Sequence, residues 1–123
     1  MGKRVLLVDD EIHIRTSMGA FLEDEGYIVT TVGSAEDALE TIKSQDFDVG
    51  VIDLRLPGMD GEKLILHIIQ EKPAMRFLIH TGSADFEITP ELSAHGLRSQ
   101  DIIKKPVRDL HVIAQAIQNK CES

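Results

Sequence analysis

At 123 residues with a formal net charge of −8, the chain has the length of one domain and lacks the basic footprint of a nucleic-acid binder. Its composition, 42% hydrophobic and 28% charged, is that of an ordinary globular protein, and no apolar run approaches the roughly 20 residues of a membrane span. The single cysteine, Cys121, excludes an internal disulfide, and the short apolar stretch after Lys3-Arg4 is too brief for a signal peptide; the expected setting is the cytoplasm.

Val5–Val8 is a β-rich apolar run that closes on Asp9-Asp10. Ile14, Met18, Phe21 and Leu22 then fall on one face of a helix, with Gly26 as its terminator. Tyr27–Val32 is a more mixed strand, as expected near a sheet edge. Ser34 has the place of an N-cap with Asp37 in the capping-box position, and Ala35, Ala38, Leu39 and Ile42 stripe the second helix.

Val49, Val51 and Ile52 form a strand buried on both faces that ends on Asp53, after which Leu56-Pro57-Gly58 forces a turn. A helix is expected from about Gly61 to Glu71, with Leu64, Ile65, Ile68 and Ile69 on one side and Pro73 beyond it. Arg76–His80 is the fourth strand, ending at Thr81-Gly82. In the irregular segment Ser83–Gln100, Thr89-Pro90 opens a helix of under two turns that Gly96 stops. Asp101–Lys104 is a short fifth strand, followed by Lys105-Pro106. Asp109 is placed to cap a last helix striped by Leu110, Ile113, Ala114 and Ile117.

Five strands alternating with five helices demand right-handed crossovers and a parallel sheet. The expected architecture is α/β and flavodoxin-like, a (βα)5 doubly wound sheet of order 2-1-3-4-5 with helices on both faces, formed by a single domain over residues 1–123. Its switch point lies between the first and third strands.

That order brings Asp9, Asp10, Asp53, Thr81 and Lys105 to one edge. Each close pair of carboxylates costs on the order of 4 kcal/mol at an effective dielectric near 20. Either a pKa rises or a cation enters, most simply Mg²⁺ held by two carboxylates, a backbone carbonyl beyond Asp53 and waters. Asp53 would be the nucleophile that accepts a phosphoryl group. The Lys105 ammonium would neutralise charge on the phosphoryl oxygens. The Thr81 hydroxyl would bond the new group, and Gly82 would leave its path open. Movement of Thr81 and Lys105 would change the surface around helix four, strand five and helix five. Taken singly, Asp53 and Thr81 read equally well as helix caps, Asp9-Asp10-Glu11 as a solvated acidic turn and Lys105 as an exposed lysine; the convergence carries the functional reading. The five histidines have no metal-ligand spacing, and each is expected to have a structural or surface role.

The motifs VLLVDDE (5–11), VIDLRLPGMDG (51–61), HTG (80–82) and KP (105–106) resemble the receiver domain of two-component response regulators from about Lys3 to Lys120. The resemblance implies that Asp53 is phosphorylated, and that Asp10, Asp53 and the backbone carbonyl of Arg55 bind Mg²⁺ directly while Asp9 helps through water. It assigns Thr81 the switch hydroxyl and Lys105 the phosphate-binding lysine. A histidine kinase or histidine phosphotransfer protein would donate the phosphoryl group, the downstream effector being unknown. It also implies a cis Lys105–Pro106 peptide. Two departures stand out: Ile102 occupies a position usually Tyr or Phe, and the span from Thr81 to Lys105 is about two residues longer than the family pattern. An alternative is a degenerate receiver that docks partners without phosphorylation, although none of the key residues is lost. A phosphatase would want an acid where Arg55 stands, so the expected role is a signalling phosphoacceptor rather than an enzyme. A flavin carrier on the same fold would not place Asp9-Asp10-Glu11 in its first loop.

Overall fold

The computed structural model describes residues 2–122. The chain runs β1 (Arg4–Val8), α1 (Ile12–Asp24), β2 (Ile28–Val32), α2 (Ala35–Ile42), β3 (Val49–Asp53) and α3 (Gly61–Glu71). It continues with β4 (Arg76–Thr81), α4 (Pro90–Ala94), a 3-10 turn at Ser99–Asp101, β5 (Ile102–Lys104) and α5 (His111–Cys121). The strands form one parallel sheet of order β2-β1-β3-β4-β5, the expected flavodoxin-like winding.

Side chains alternate across each strand, so the sheet feeds two cores. Leu6, Val8, Ile52, Phe77 and Ile79 pack with α2, α3 and α4 on one face. Val5, Leu7, Val51, Leu78 and Ile103 pack with α1 and α5 on the other. All five residues of β3 are buried, because it lies at the sheet centre with helices on both sides. β2 is an edge strand, which explains its mixed composition.

The helix ends follow local chemistry. Ser34 accepts the Asp37 N–H, although among the described residues no return bond completes the capping box. Gly26 takes φ +98° just past α1, a left-handed conformation that favours glycine. Thr89 caps the short α4. Several boundaries differ from expectation: β1 begins at Arg4 and β4 runs on through Thr81. Tyr27 precedes β2, Asp101 belongs to the 3-10 turn, and Leu110 holds the N-cap position of α5. Asp109 still accepts the His111 N–H at 3.0 Å, so its capping bond forms one residue outside the regular helix.

Candidate functional site

β1 delivers Asp9 and Asp10 to the carboxyl edge of the sheet, at the switch point between β1 and β3. Asp9 is buried, and its Oδ1 accepts the Glu11 N–H at 2.9 Å. The Arg15 guanidinium donates to the Asp9 carbonyl at 2.7 Å, tying the start of α1 to the end of β1. β3 ends on Asp53, also buried, whose Oδ1 accepts the Arg55 N–H at 3.1 Å. Behind it the chain doubles back: Gly61 donates its N–H to the Leu54 carbonyl at 2.7 Å, and a Cβ at Gly61 would strike the Asp53 carbonyl. Glycine there lets the loop close on the strand end and holds Asp53 in place.

Lys105, from the loop after β5, reaches into this cluster. Its Nζ donates to Asp53 Oδ2 and to Glu11 Oε1, both at 3.3 Å. It also stands 3.0 Å from Asp9 Oδ2. That last contact is an ion pair approached outside hydrogen-bond geometry, for among the described residues Asp9 Oδ2 is buried without a hydrogen-bond partner. The Lys105–Pro106 peptide is cis.

One ammonium thus serves three acids. Burial raises the Asp53 pKa above the ordinary carboxylate value; the Arg55 N–H opposes this, the Asp9 charge adds to it, and Lys105 opposes it again. For Lys105 burial acts downward, but Asp9 and Asp53 together outweigh it and lift the ammonium above its ordinary value. Asp9, Asp10 and Asp53 each offer an oxygen, and these oxygens lie within 4.8 Å of one another. An all-oxygen donor set containing one buried, unbonded carboxylate oxygen suits a hard divalent cation.

The hydroxyl lies elsewhere. Alternation along β4 groups Thr81 with Phe77 and Ile79, across the sheet from Asp53 and His80. Thr81 is fully buried, and its Oγ1 accepts the Ser83 N–H at 3.0 Å. Among the described residues no hydrogen bond links this side chain to Asp53 or Lys105, but the Thr81 carbonyl accepts the Lys105 N–H at 2.8 Å. Gly82 lies beside Lys105, whose Cβ a methyl there would meet at an ordinary 3.9 Å.

Two site residues escaped sequence reasoning. Glu11 reads as part of an acidic turn, yet it binds Lys105. His80 is 3% exposed, pairs with Asp53 across β3 and β4, and brings Nδ1 to 3.9 Å from Asp9 Oδ2. Among the described residues neither of its ring nitrogens has a hydrogen-bond partner. Burial and then the Lys105 charge, against Asp9 and Glu11, lower its pKa to about 4, so the ring is neutral at pH 7.

Residues 5–118 match the family model of the response regulator receiver domain. The chain belongs to that family. Among curated relatives of this receiver domain is the regulatory protein VanR of Enterococcus faecium, 32% identical over 115 residues, which cover 94% of this chain and 48% of that protein. The chain spans about half, or less, of the length of the curated relatives it matches. A CheY-like receiver domain structure from Methanospirillum hungatei superposes with TM-score 0.83 at 30% identity, covering 99% of this chain and 95% of that one. A response regulator of Thermotoga maritima, solved in complex with Mg(2+)-BeF, has TM-score 0.82 at 24% identity over 96% of this chain and 98% of that one, a likeness of fold. No helix among the described residues of this receiver is long and apolar enough to cross a membrane.

Proposed function

We propose that Asp53 accepts a phosphoryl group and that residues 1–123 act as one receiver domain in a cytoplasmic phosphorelay. The donor is a phosphohistidine on a histidine kinase or histidine phosphotransfer protein. An Asp53 carboxylate oxygen forms the new O–P bond as the donor N–P bond breaks, and the electron pair stays on the leaving imidazole nitrogen. The observation that carries this reading is a buried Asp53 at the end of β3, with Oδ2 3.3 Å from the Lys105 ammonium, inside a three-carboxylate set.

Lys105 already touches the nucleophile and needs only a small shift to meet the phosphoryl oxygens. Asp10, Asp53 and the Arg55 carbonyl would hold Mg²⁺ directly, with Asp9 acting through water; the T. maritima complex is consistent with such a site. Bound there, the ion would supply positive charge against the phosphoryl oxygens. Thr81, whose Oγ1 accepts the Ser83 N–H and keeps its own O–H to donate, would turn toward Asp53 to bond the new group, and Gly82 gives the loop freedom to follow. Because the Lys105 N–H is held by the Thr81 carbonyl, motion at either is felt at the other, and the α4–β5–α5 surface carries the signal to an effector. The domain turns over no outside substrate, since Arg55 stands where an acid would have to activate water. It makes no direct contact with nucleic acid.

Intact-mass measurement after treatment with acetyl phosphate and Mg²⁺ tests the assignment. Wild type should gain one phosphoryl group and Asp53→Asn none. Equal uptake by both proteins would reject Asp53 as acceptor, and no uptake by either would favour a docking module that works without phosphorylation.

A further inference from the structure

Beyond Val8, the last residue of β1 paired in the sheet, the backbone of Asp9 finds its partners one by one. Its N–H donates to the Val32 carbonyl at 3.1 Å, and its carbonyl accepts Arg15 Nη1 at 2.7 Å. Asp9 is buried, so a carbonyl there needs a protein partner. Arg15 lies half-buried against the acid cluster, yet among the described residues it makes no ion pair and gives its hydrogen bond to main chain. Its seat is Gly33, just past β2: a Cβ there would fall 2.9 Å from Arg15 Nη1 and 3.3 Å from Cζ. Gly33 does not have the positive φ that calls for glycine, so what the missing side chain supplies is space for the guanidinium.

The peptide held in this way is the one between Asp9 and Asp10. Asp10 is exposed, and among the described residues no hydrogen bond or ion pair holds its carboxylate. One of its oxygens still lies within 4.8 Å of oxygens of Asp9 and Asp53. With no partner on the side chain, its direction is set by the peptide that carries it. We propose that Arg15 is a positioning residue for the cation site: seated on Gly33, it fixes the Asp9–Asp10 peptide and so points the Asp10 carboxylate toward the cation shared with Asp53. This rests on the Mg²⁺ reading above. Arg15 touches neither the phosphoryl group nor the ion; what it governs is how tightly the acids hold the cation.

The test is Mg²⁺ binding by the whole chain, read from the amide shifts of Asp10 and Asp53, with the amides of α5 reporting the fold. Arg15→Met should weaken binding roughly tenfold, the low end of what loss of a supporting partner costs a metal site. Charge alone predicts the reverse, since losing a cation beside three carboxylates should tighten Mg²⁺ binding. Gly33→Ala changes no charge. Its methyl pushes the guanidinium off the Asp9 carbonyl, a movement that a long flexible side chain makes readily, and binding should weaken in the same direction. In the Arg15→Met background Gly33→Ala should do nothing, because no guanidinium is left to displace. Unchanged or tighter binding by Arg15→Met, or an equal effect of Gly33→Ala in both backgrounds, rejects the positioning role. Should Arg15→Met fail to fold, Gly33→Ala decides alone, and undiminished binding by it overturns the proposal. Wild type that binds no Mg²⁺ would instead reject the cation reading on which it stands.

Discussion

Two buried aspartates in this receiver each hold a lysine, and they do so in opposite ways. Asp101, at the end of the 3-10 turn just before β5, accepts Lys120 Nζ from α5 at 2.8 Å and the Arg98 N–H at 2.9 Å through one oxygen. It has one cation to itself, and the bond pins α5 to the sheet. Asp53 shares Lys105 with Asp9 and Glu11, at longer distances, and among the described residues Asp9 Oδ2 has that ion pair but no hydrogen bond, and the His80 ring nitrogens beside it have none. The first pair is saturated and can only hold. The second has more acceptors than donors, and that surplus is a standing capacity to take an incoming cation and to release the lysine it already has. The same two residue types therefore give a rivet in one place and, on the function proposed, a reactive centre in the other.

The largest effect that would break this comparison is chemical. Asp53→Asn should abolish phosphoryl uptake entirely, while Asp101→Asn should leave it nearly intact, both read by mass after acetyl phosphate. Next comes Lys105→Ala, which removes the one ammonium facing the developing charge. Loss of one such preorganised group costs about 10²-fold in rate, measurable from the kinetics of uptake at saturating Mg²⁺. Lys120→Ala should not alter that rate.

Stability effects rank below these and fall on the other pair. Asp101→Ala strips the partner from the Lys120 ammonium, whose side chain lies mostly out of water, and from the Arg98 N–H. The expected loss is about 2–3 kcal/mol, seen as a lower urea midpoint with unchanged slope. A loss confined to a few tenths would mean that Lys120 finds water readily and that the rivet is weak.

How much of this was legible in the sequence differs between the pairs. The fold and the strand ends could be read because helix stripes at Ile14–Leu22 and Ile113–Ile117 and the apolar runs of β1, β3 and β4 carry their periods openly. Strand order then brings Asp9, Asp53 and Lys105 together whatever the loop details. What stayed hidden was facing. β4 is buried on both sides, so its run FLIH shows no polar alternation to tell that His80 joins Asp53 while Thr81 turns the other way. Glu11 lies in a loop whose path no periodicity describes. The contact of Gly61 with the Asp53 carbonyl likewise depends on a turn that brings residues eight apart in sequence together. The Asp101–Lys120 bond joins two elements whose side chains carry no joint signal in one sequence.

The smallest effect is also the sharpest, because the two aspartates should answer the same substitution with opposite signs. Burial, aided by the Asp9 charge, keeps the Asp53 pKa above its ordinary value despite Arg55 and Lys105. Between the ordinary carboxylate value and that raised value, the folded chain binds more protons than the unfolded one, so stability falls as pH rises through the window. Above it, the ionised Asp53 is a continuing cost. Asp53→Asn removes the charge, and Lys105 keeps Asp9 and Glu11 as partners. Its melting temperature without Mg²⁺ should therefore exceed that of wild type at neutral pH, and the gain should fade as pH drops below the raised pKa toward the ordinary one. Asp101→Asn weakens a charge-assisted bond and should lower the melting temperature at neutral pH. Thermal melts of the three proteins across that pH range decide the matter. If Asp53→Asn melts below wild type at neutral pH, the site is a second rivet, and the surplus of acceptors around Lys105 confers no readiness for a cation.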